Sequence, residues 1–274
     1  MSSELALLGP GGTFSEEAAV RFAPDLNRKY CGTIEDVFES VLEGNAEYGI
    51  VPVENSLEGS VAQTLEMLNT SDVRVCREIT LKINHCLMAL IGTELSDIKE
   101  IVSHPHALGQ CKKFIKTLPT VKTRNFSSTA EAAKDITDKK LIGTGAIASK
   151  IAAKLYGLAI LKEGIQDNVN NQTRFFVISR DCRPENDSLS KTSIVIGLKD
   201  KPGALYVVLG LFAKADVNLT KIESRPTKKT LGDYIFYIDF IGNINEGKMK
   251  NLLDEVMKRS THFKVFGSYS TDRE

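Results

Sequence analysis

A threonine, an arginine and a phenylalanine stand in a row at Thr173-Arg174-Phe175, preceded by Asn171-Gln172 and followed by an apolar run to Ile178. They offer a hydroxyl that donates or accepts a proton, a fixed cation that can grip a carboxylate with two parallel hydrogen bonds, and an aromatic ring. Phe175 to Ile178 predicts a strand, and strand residues alternate faces, so Thr173 and Phe175 point one way and Arg174 the other. A loop running into a strand holds side chains at the rim of a sheet, where pockets form. Taken alone, the trio reads as an ordinary strand start; what changes that is the company it keeps elsewhere in the chain.

Three other segments carry groups of the same kind. Glu54, Asn55 and Ser56 follow the predicted strand Tyr48 to Val53. They lie at its carboxyl end, the side on which open α/β sheets bind ligands. Glu54 is a possible acid or base, and Asn55 and Ser56 offer neutral hydrogen bonds; a helix-capping loop with surface charge is the plainer reading. His104-Pro105-His106-Ala107-Leu108-Gly109-Gln110-Cys111 runs from a strand into a helix, with Gln110 placed to face a cleft. Cys111 falls inside that helix, as small buried cysteines commonly do, which argues against a Cys/His nucleophilic pair. The two histidines lack an HExxH partner and are stiffened by the proline between them, so no metal is assigned. Gly9-Pro10-Gly11-Gly12-Thr13 joins a strand to a helix start that favours an anion. It is neither GxGxxG, since Phe14 takes the third glycine's place, nor a Walker loop. It serves as a carboxylate-binding turn or simply as a tight turn.

The elements that must position these groups follow from pattern. Leu5 to Leu8 reads as a buried strand; Thr13 with Glu16, and Thr33 with Asp36, are helix starts; Gly44 is a stop. A helix from about Ser60 to Leu68 follows the Tyr48 strand, and this alternation predicts α/β with a mostly parallel sheet. Residues 73–91 are β-rich. Beyond them come a strand at Ile101-Val102, a helix over 107–118, a strand over 121–125, a helix over 129–136, a short strand at Leu141-Ile142 and a helix over 146–155. We read these as a second lobe, about residues 76–170, with the chain returning to the first lobe near Thr173. Two lobes joined by crossing strands make a cleft. Arg180 to Ser190 is polar, as an exposed linker should be, and divides residues 1–180 from 191–274. The latter read strand, helix, strand, strand, helix, strand, the ferredoxin-like plan.

The bulk numbers exclude several classes. The chain has 274 residues, 35 acidic and 35 basic, with 42% hydrophobic and 26% charged content. No basic excess points to nucleic acid, and no apolar run approaches the roughly 20 residues a membrane span needs. The start lacks a basic region before a long apolar core, so the expected location is the cytoplasm. Five scattered cysteines without CxxC spacing fit reduced thiols better than a disulfide framework.

Together, the segments Gly9 to Ala18, Pro52 to Val61, His104 to Cys111, Gly145 to Gly157 and Asn171 to Phe175 resemble, in order, the signatures of the prephenate dehydratases. Gly203-Ala204-Leu205 and Glu223-Ser224-Arg225-Pro226 resemble the G-A-L and E-S-R-P motifs of the ACT domain that follows the catalytic domain in that family. His106 stands where the family more often has glutamine, and Gly145 where it usually has alanine. The resemblance implies a two-lobed, periplasmic-binding-protein-like catalytic domain with a ferredoxin-like ACT domain. The implied reaction is decarboxylative dehydration of prephenate to phenylpyruvate, without cofactor, inhibited by L-phenylalanine in a homodimer or homotetramer. It implies Thr173 as the catalytic hydroxyl, with Glu54, Asn55 and Gln110 beside it. Thr13, Ser15, Ser56, His104, Arg174 and Phe175 would hold substrate, while Gly203, Ala204, Leu205, Asn218 and Glu223 to Pro226 would hold phenylalanine. A two-lobed solute-binding protein and an amino-acid-sensing regulator are the competing readings; the lack of a signal peptide weighs against the first, and neutral charge against DNA binding by the second.

Overall fold

The computed structural model describes residues 4–182, 190–227 and 234–272. Residues 183–189 of the polar linker therefore lie outside the described residues. The first lobe contains β1 (Glu4–Leu8), α1 (Phe14–Phe22), β2 (Asn27–Cys31), α2 (Ile34–Leu42), β3 (Tyr48–Asn55), β4 (Gly59–Ser60), α3 (Ala62–Thr70) and β5 (Arg74–Lys82). The second is built from β6 (Cys86–Ala89), β7 (Glu100–Ser103), α4 (Pro105–Gln110), α5 (Lys112–Ile115), β8 (Lys122–Asn125), α6 (Thr129–Lys139), β9 (Thr144–Ala148), α7 (Lys150–Tyr156) and β10 (Ala159–Lys162). The chain returns to the first lobe as β11 (Gln172–Ser179). The C-terminal unit is β12 (Lys191–Leu198), α8 (Ala204–Lys214), β13 (Leu219–Pro226), β14 (Tyr234–Ile241), α9 (Gly247–Arg259) and β15 (His262–Asp272).

The helix starts predicted from the sequence form. Thr33 and Asp36 make a reciprocal capping box, and the Thr13 hydroxyl accepts from Glu16 N at 3.3 Å. Buried apolar faces dock these helices: Val37, Phe38 and Val41 of α2 enter one core cluster with Val51, Phe176 and Ile178. Ala18 and Ala19 of α1 enter another with Leu5, Leu7, Ile79 and Phe175.

Four expectations are corrected. The strand placed at Leu141-Ile142 lies instead at Thr144–Ala148, and the helix begins only at Lys150, with Ser149 as its cap. The Ala-rich segment looks helical, but it is a wholly buried strand between β6 and β7, where a side chain at Gly145 would come within 2.8 Å of Leu87. The helix over 107–118 is broken at Cys111 into α4 and α5. The sheets are also mixed rather than mostly parallel. β1, β2 and β3 pair in parallel, but β11 runs antiparallel to both β3 and β5 because it returns from the other lobe.

Ten strands form one sheet, β13-β14-β12-β15-β5-β11-β3-β1-β2 with β4 paired to β3; a second sheet has five, β10-β6-β9-β7-β8. The C-terminal unit is thus laterally continuous with the first lobe: Ser270, Thr271 and Asp272 of β15 pair with Arg77, Glu78 and Ile79 of β5. The lobes are joined by two crossings, 83–85 and 163–171.

Cys76 and Cys182 form a disulfide with Cα atoms 5.2 Å apart, which corrects the expectation of reduced thiols. Pairing could not be read from spacing because 106 residues separate the two. Cys31, Cys86 and Cys111 are free and buried. A loop of this length makes the cross-link a large restriction on the unfolded chain, so reduction or Cys182→Ser should lower unfolding stability by about 2–4 kcal/mol. Urea titration with and without reductant measures this, and coincident curves would show the thiols unlinked.

Candidate active site

A cleft of about 520 Å³ opens between the lobes, lined from one side by Phe14, Asn55, Glu58 and Thr173 and from the other by His85, His104, Gln110 and Ser127 to Thr129. Asn55 ends β3 and Thr173 lies opposite it on β11, in register. Its Oδ1 accepts from Leu57 N at 2.9 Å and Glu58 N at 3.1 Å, which turns its amide N–H groups inward. Nδ2 donates to Thr173 Oγ1 at 2.9 Å and to Asn171 Oδ1 at 2.8 Å. The Thr173 oxygen is therefore an acceptor toward Asn55, and its own hydrogen is left for whatever occupies the cleft.

The chain of amides continues across the lobe boundary. Asn171 Nδ2 donates to Gln110 Oε1 at 2.9 Å, and Gln110 Nε2 donates to Glu58 Oε1 at 3.4 Å. His85 Nε2 also meets Gln110 Oε1, at 3.0 Å. Burial keeps the His85 imidazole below the usual histidine range, with the Gln110 bond opposing. His104 is held low too, by burial and then by neighbouring His106. The cleft's wall is thus formed mainly by neutral donors and acceptors. Ser128 caps α6 by accepting from Glu131 N at 3.0 Å, and the positive end of that helix is the part of the wall suited to a carboxylate.

The structure brings together Thr173, Asn55, Gln110 and His104 of the residues singled out from sequence. Others are corrected. Arg174 turns to the opposite face of β11, into a second hollow of about 490 Å³ shared with Glu54, Glu78 and Lys191. There its guanidinium meets Glu54 at 2.6 Å, Glu78 at 2.7 Å and Asp239 of the C-terminal unit at 2.8 Å. Glu54 is consequently not beside Thr173: the one-residue alternation of β3 that aims Asn55 into the cleft aims Glu54 away. Burial opposes the charge of Arg174, but Asp239 and Glu78 overcome it and hold the group strongly basic. Phe175 is in the core, packed with Leu5, Ala18 and Val177. Ser56 fastens the lobe crossing by accepting from Gln172 N at 3.0 Å. Thr13 is occupied as a helix cap and bonds Leu8 O at 3.2 Å; Ser15 is buried, and Phe14 between them lines the cleft. Cys111 is buried and its thiol is pushed up to about 12, which removes it as a nucleophile.

Sequence reasoning missed Phe14, His85, Asn171 and the Ser127–Thr129 turn. Asn171 sat in the segment that drew attention first, and Ser128 with Glu131 has capping spacing; nothing local to His85 marked it.

In the C-terminal unit Gly203 adopts φ +81° at the start of α8, and Ala204 and Leu205 pack on that unit's core. Ser224 and Pro226 are exposed, and the Asn218 carbonyl accepts from Ile241 N at 3.0 Å. Glu223 reaches back to the first lobe, accepting from the Ser60 hydroxyl, and pairs with Arg225 at 2.8 Å and Lys221 at 3.3 Å.

The family model described as prephenate dehydratase matches residues 5–183, and that of the ACT domain matches 192–256. A prephenate dehydratase of Methanocaldococcus jannaschii is 43% identical over 270 residues, covering 95% of each chain. Among solved structures, a prephenate dehydratase from Arthrobacter aurescens in complex with L-Phe superposes with a TM-score of 0.90 at 38% identity, over 97% of this chain and 89% of that one. The quorum-quenching acylase GqqA superposes at 0.91 with 29% identity, over 98% of both.

Proposed function

Because the chain belongs to the prephenate dehydratase family and carries an ACT domain behind the catalytic one, we propose that it converts prephenate to phenylpyruvate and is inhibited by L-phenylalanine. The observation that carries this reading is the Thr173 hydroxyl, fixed as an acceptor by Asn55 in a cleft walled by both lobes. Prephenate has a ring carboxylate and a ring hydroxyl on opposite carbons of a cyclohexadiene. As the C–C bond to the carboxylate breaks, its electron pair enters the ring, the ring becomes aromatic, and the hydroxyl leaves with the C–O pair. Carbon dioxide departs neutral, so the proton demand falls on the leaving oxygen alone. Thr173 donates a hydrogen bond that stabilises that oxygen as it leaves with the electron pair, and the hydroxide so released is neutralised by solvent, so threonine need not itself be ionised. Glu54, on the far side of the sheet, takes no part in this step. Gln110 and Asn55 orient the substrate, and the α6 terminus receives a carboxylate. The reaction calls on no cofactor.

Among the described residues Thr173 hydrogen-bonds an amide and not a base, so it lacks the general base that would make it a nucleophile for the acylase chemistry named for GqqA. Residues 191–274 form the regulatory domain, and phenylalanine lies between two copies at Gly203 to Leu205, Asn218 and Glu223 to Pro226, the chain acting as a homodimer or homotetramer. No described helix is long and apolar enough to cross a membrane. The proposed biosynthetic role is what places the enzyme in the cytoplasm, a compartment in which the Cys76–Cys182 disulfide would be unusual.

One assay tests the reading: prephenate is added, then alkali, and phenylpyruvate absorbance is followed with and without saturating phenylalanine. Product formation that phenylalanine suppresses is expected. No product would reject the catalytic half, and unchanged activity together with unchanged oligomer size would reject the regulatory half.

A further inference from the structure

We propose that His85, a residue outside every catalytic motif of the sequence, is a positioning residue that holds Gln110 at the far end of the amide chain leading to Thr173. The inference rests on the dehydratase reading of the cleft. His85 opens the second lobe immediately before β6, is 2% exposed, and lines the cleft with its ring edge-on to Phe14 at 5.6 Å. Gln110 Oε1 already accepts from Asn171 Nδ2. The imidazole nitrogen 3.0 Å from the same oxygen must then be the protonated one, so Nε2 carries the hydrogen and Nδ1 a bare lone pair.

Nδ1 is buried and has no hydrogen-bond partner among the described residues. Gln110 alone therefore selects the tautomer. An unmatched buried lone pair is a cost that an apolar ring of similar shape would avoid, and a residue serving only to fill space would have no reason to carry it. The polarity is then consistent along the chain, whose other end is fixed by Leu57 N and Glu58 N on Asn55 Oδ1. With its oxygen held by two donors, Gln110 keeps its amino group toward Glu58; Asn171 must present its own amino group to Gln110 and its oxygen to Asn55; Asn55 then donates to Thr173. Without the His85 donor, Gln110 Oε1 keeps only Asn171 and its amide is free to turn from the cleft; Asn55, pinned by Leu57 N and Glu58 N, keeps its own direction, so the disturbance falls on Gln110 and Asn171. Burial supports this arrangement by keeping the ring neutral.

The test compares His85→Leu and His85→Gln, the latter supplying an amide N–H near the position of Nε2. His85→Leu should lower kcat by on the order of 10- to 100-fold with KM within about twofold, the pattern of a misaligned catalytic group. His85→Gln should recover most of kcat, and the two variants should melt at similar temperatures. Wild-type kcat in His85→Leu, or equal losses in both variants that track their melting temperatures, would overturn the proposal. Nitrogen-15 NMR of histidine-labelled wild-type protein decides the ring itself. A neutral ring protonated at Nε2 is required at pH 7, and a hydrogen on Nδ1 or a charged ring rejects the inference. That measurement needs no substrate, so failure of the enzyme to act on prephenate would sink the functional reading while leaving the role of His85 separately decidable.

Discussion

Thr173→Ala is expected to lower kcat by about 10²- to 10³-fold, the range for removing one preorganised hydrogen-bond donor to developing charge, with KM nearly unchanged. The hydroxyl matters only once the ring oxygen begins to carry charge, so its loss falls on the transition state and not on binding. Asn55 Nδ2 would lose one of its acceptors but keep Asn171 Oδ1 at 2.8 Å and Gln172 O at 3.2 Å, so the loop should stay in place. Thr173→Ser keeps an oxygen where Asn55 donates and should retain far more activity than the alanine variant. Steady-state kinetics on the three proteins separates the cases; near-normal turnover in Thr173→Ala would transfer the role to another group.

The second large effect is expected on stability. Asp239→Ala should cost about 3–5 kcal/mol, the range for removing one member of a buried ion pair. Asp239 is 5% exposed, accepts from Arg174 at 2.8 Å and from Ser193 Oγ at 2.6 Å, and lies across the boundary between the C-terminal unit and the first lobe. Its removal leaves Arg174 dependent on Glu54 and Glu78, while Glu78 is also engaged by Lys191 at 2.6 Å. Burial works to lower the Lys191 ammonium, with Glu78 opposing, so the cluster tolerates little rearrangement. Urea unfolding measures the change, and a loss below about 1 kcal/mol would show that the ions are worth no more than a surface pair.

Much of this molecule was legible from sequence because its signals are local. Strand–helix alternation, caps at Thr13 and Thr33 and the order of elements after Lys191 all depend on neighbours within a few residues. What was not legible depends on partners far along the chain. Alternation correctly put Thr173 and Arg174 on opposite faces, but could not say that Asp239, 65 residues on, would be waiting for the cation. It also grouped Phe175 with Thr173, and the two do share a face, but the ring lies deeper along the strand, in the core with Leu5 and Ala18 and not in the cleft. Gly145 belongs to a strand because Leu87, from another strand, fills the space a side chain would need. His85 acquires meaning only when Gln110, 25 residues later, folds onto it.

The lateral pairing of β15 with β5 has a mechanical consequence. Strands bonded edge to edge resist shear along their length, so the regulatory unit and the lobe bearing Thr173 ride as a single plank. The smaller lobe hangs from that plank by two short straps, residues 83–85 and 163–171. Swinging of one part against another is thereby assigned to the smaller lobe, with the straps as its covalent tethers and direct bonds such as Ser149 Oγ to Gly12 O at 2.6 Å as the contacts that such a swing must break or carry.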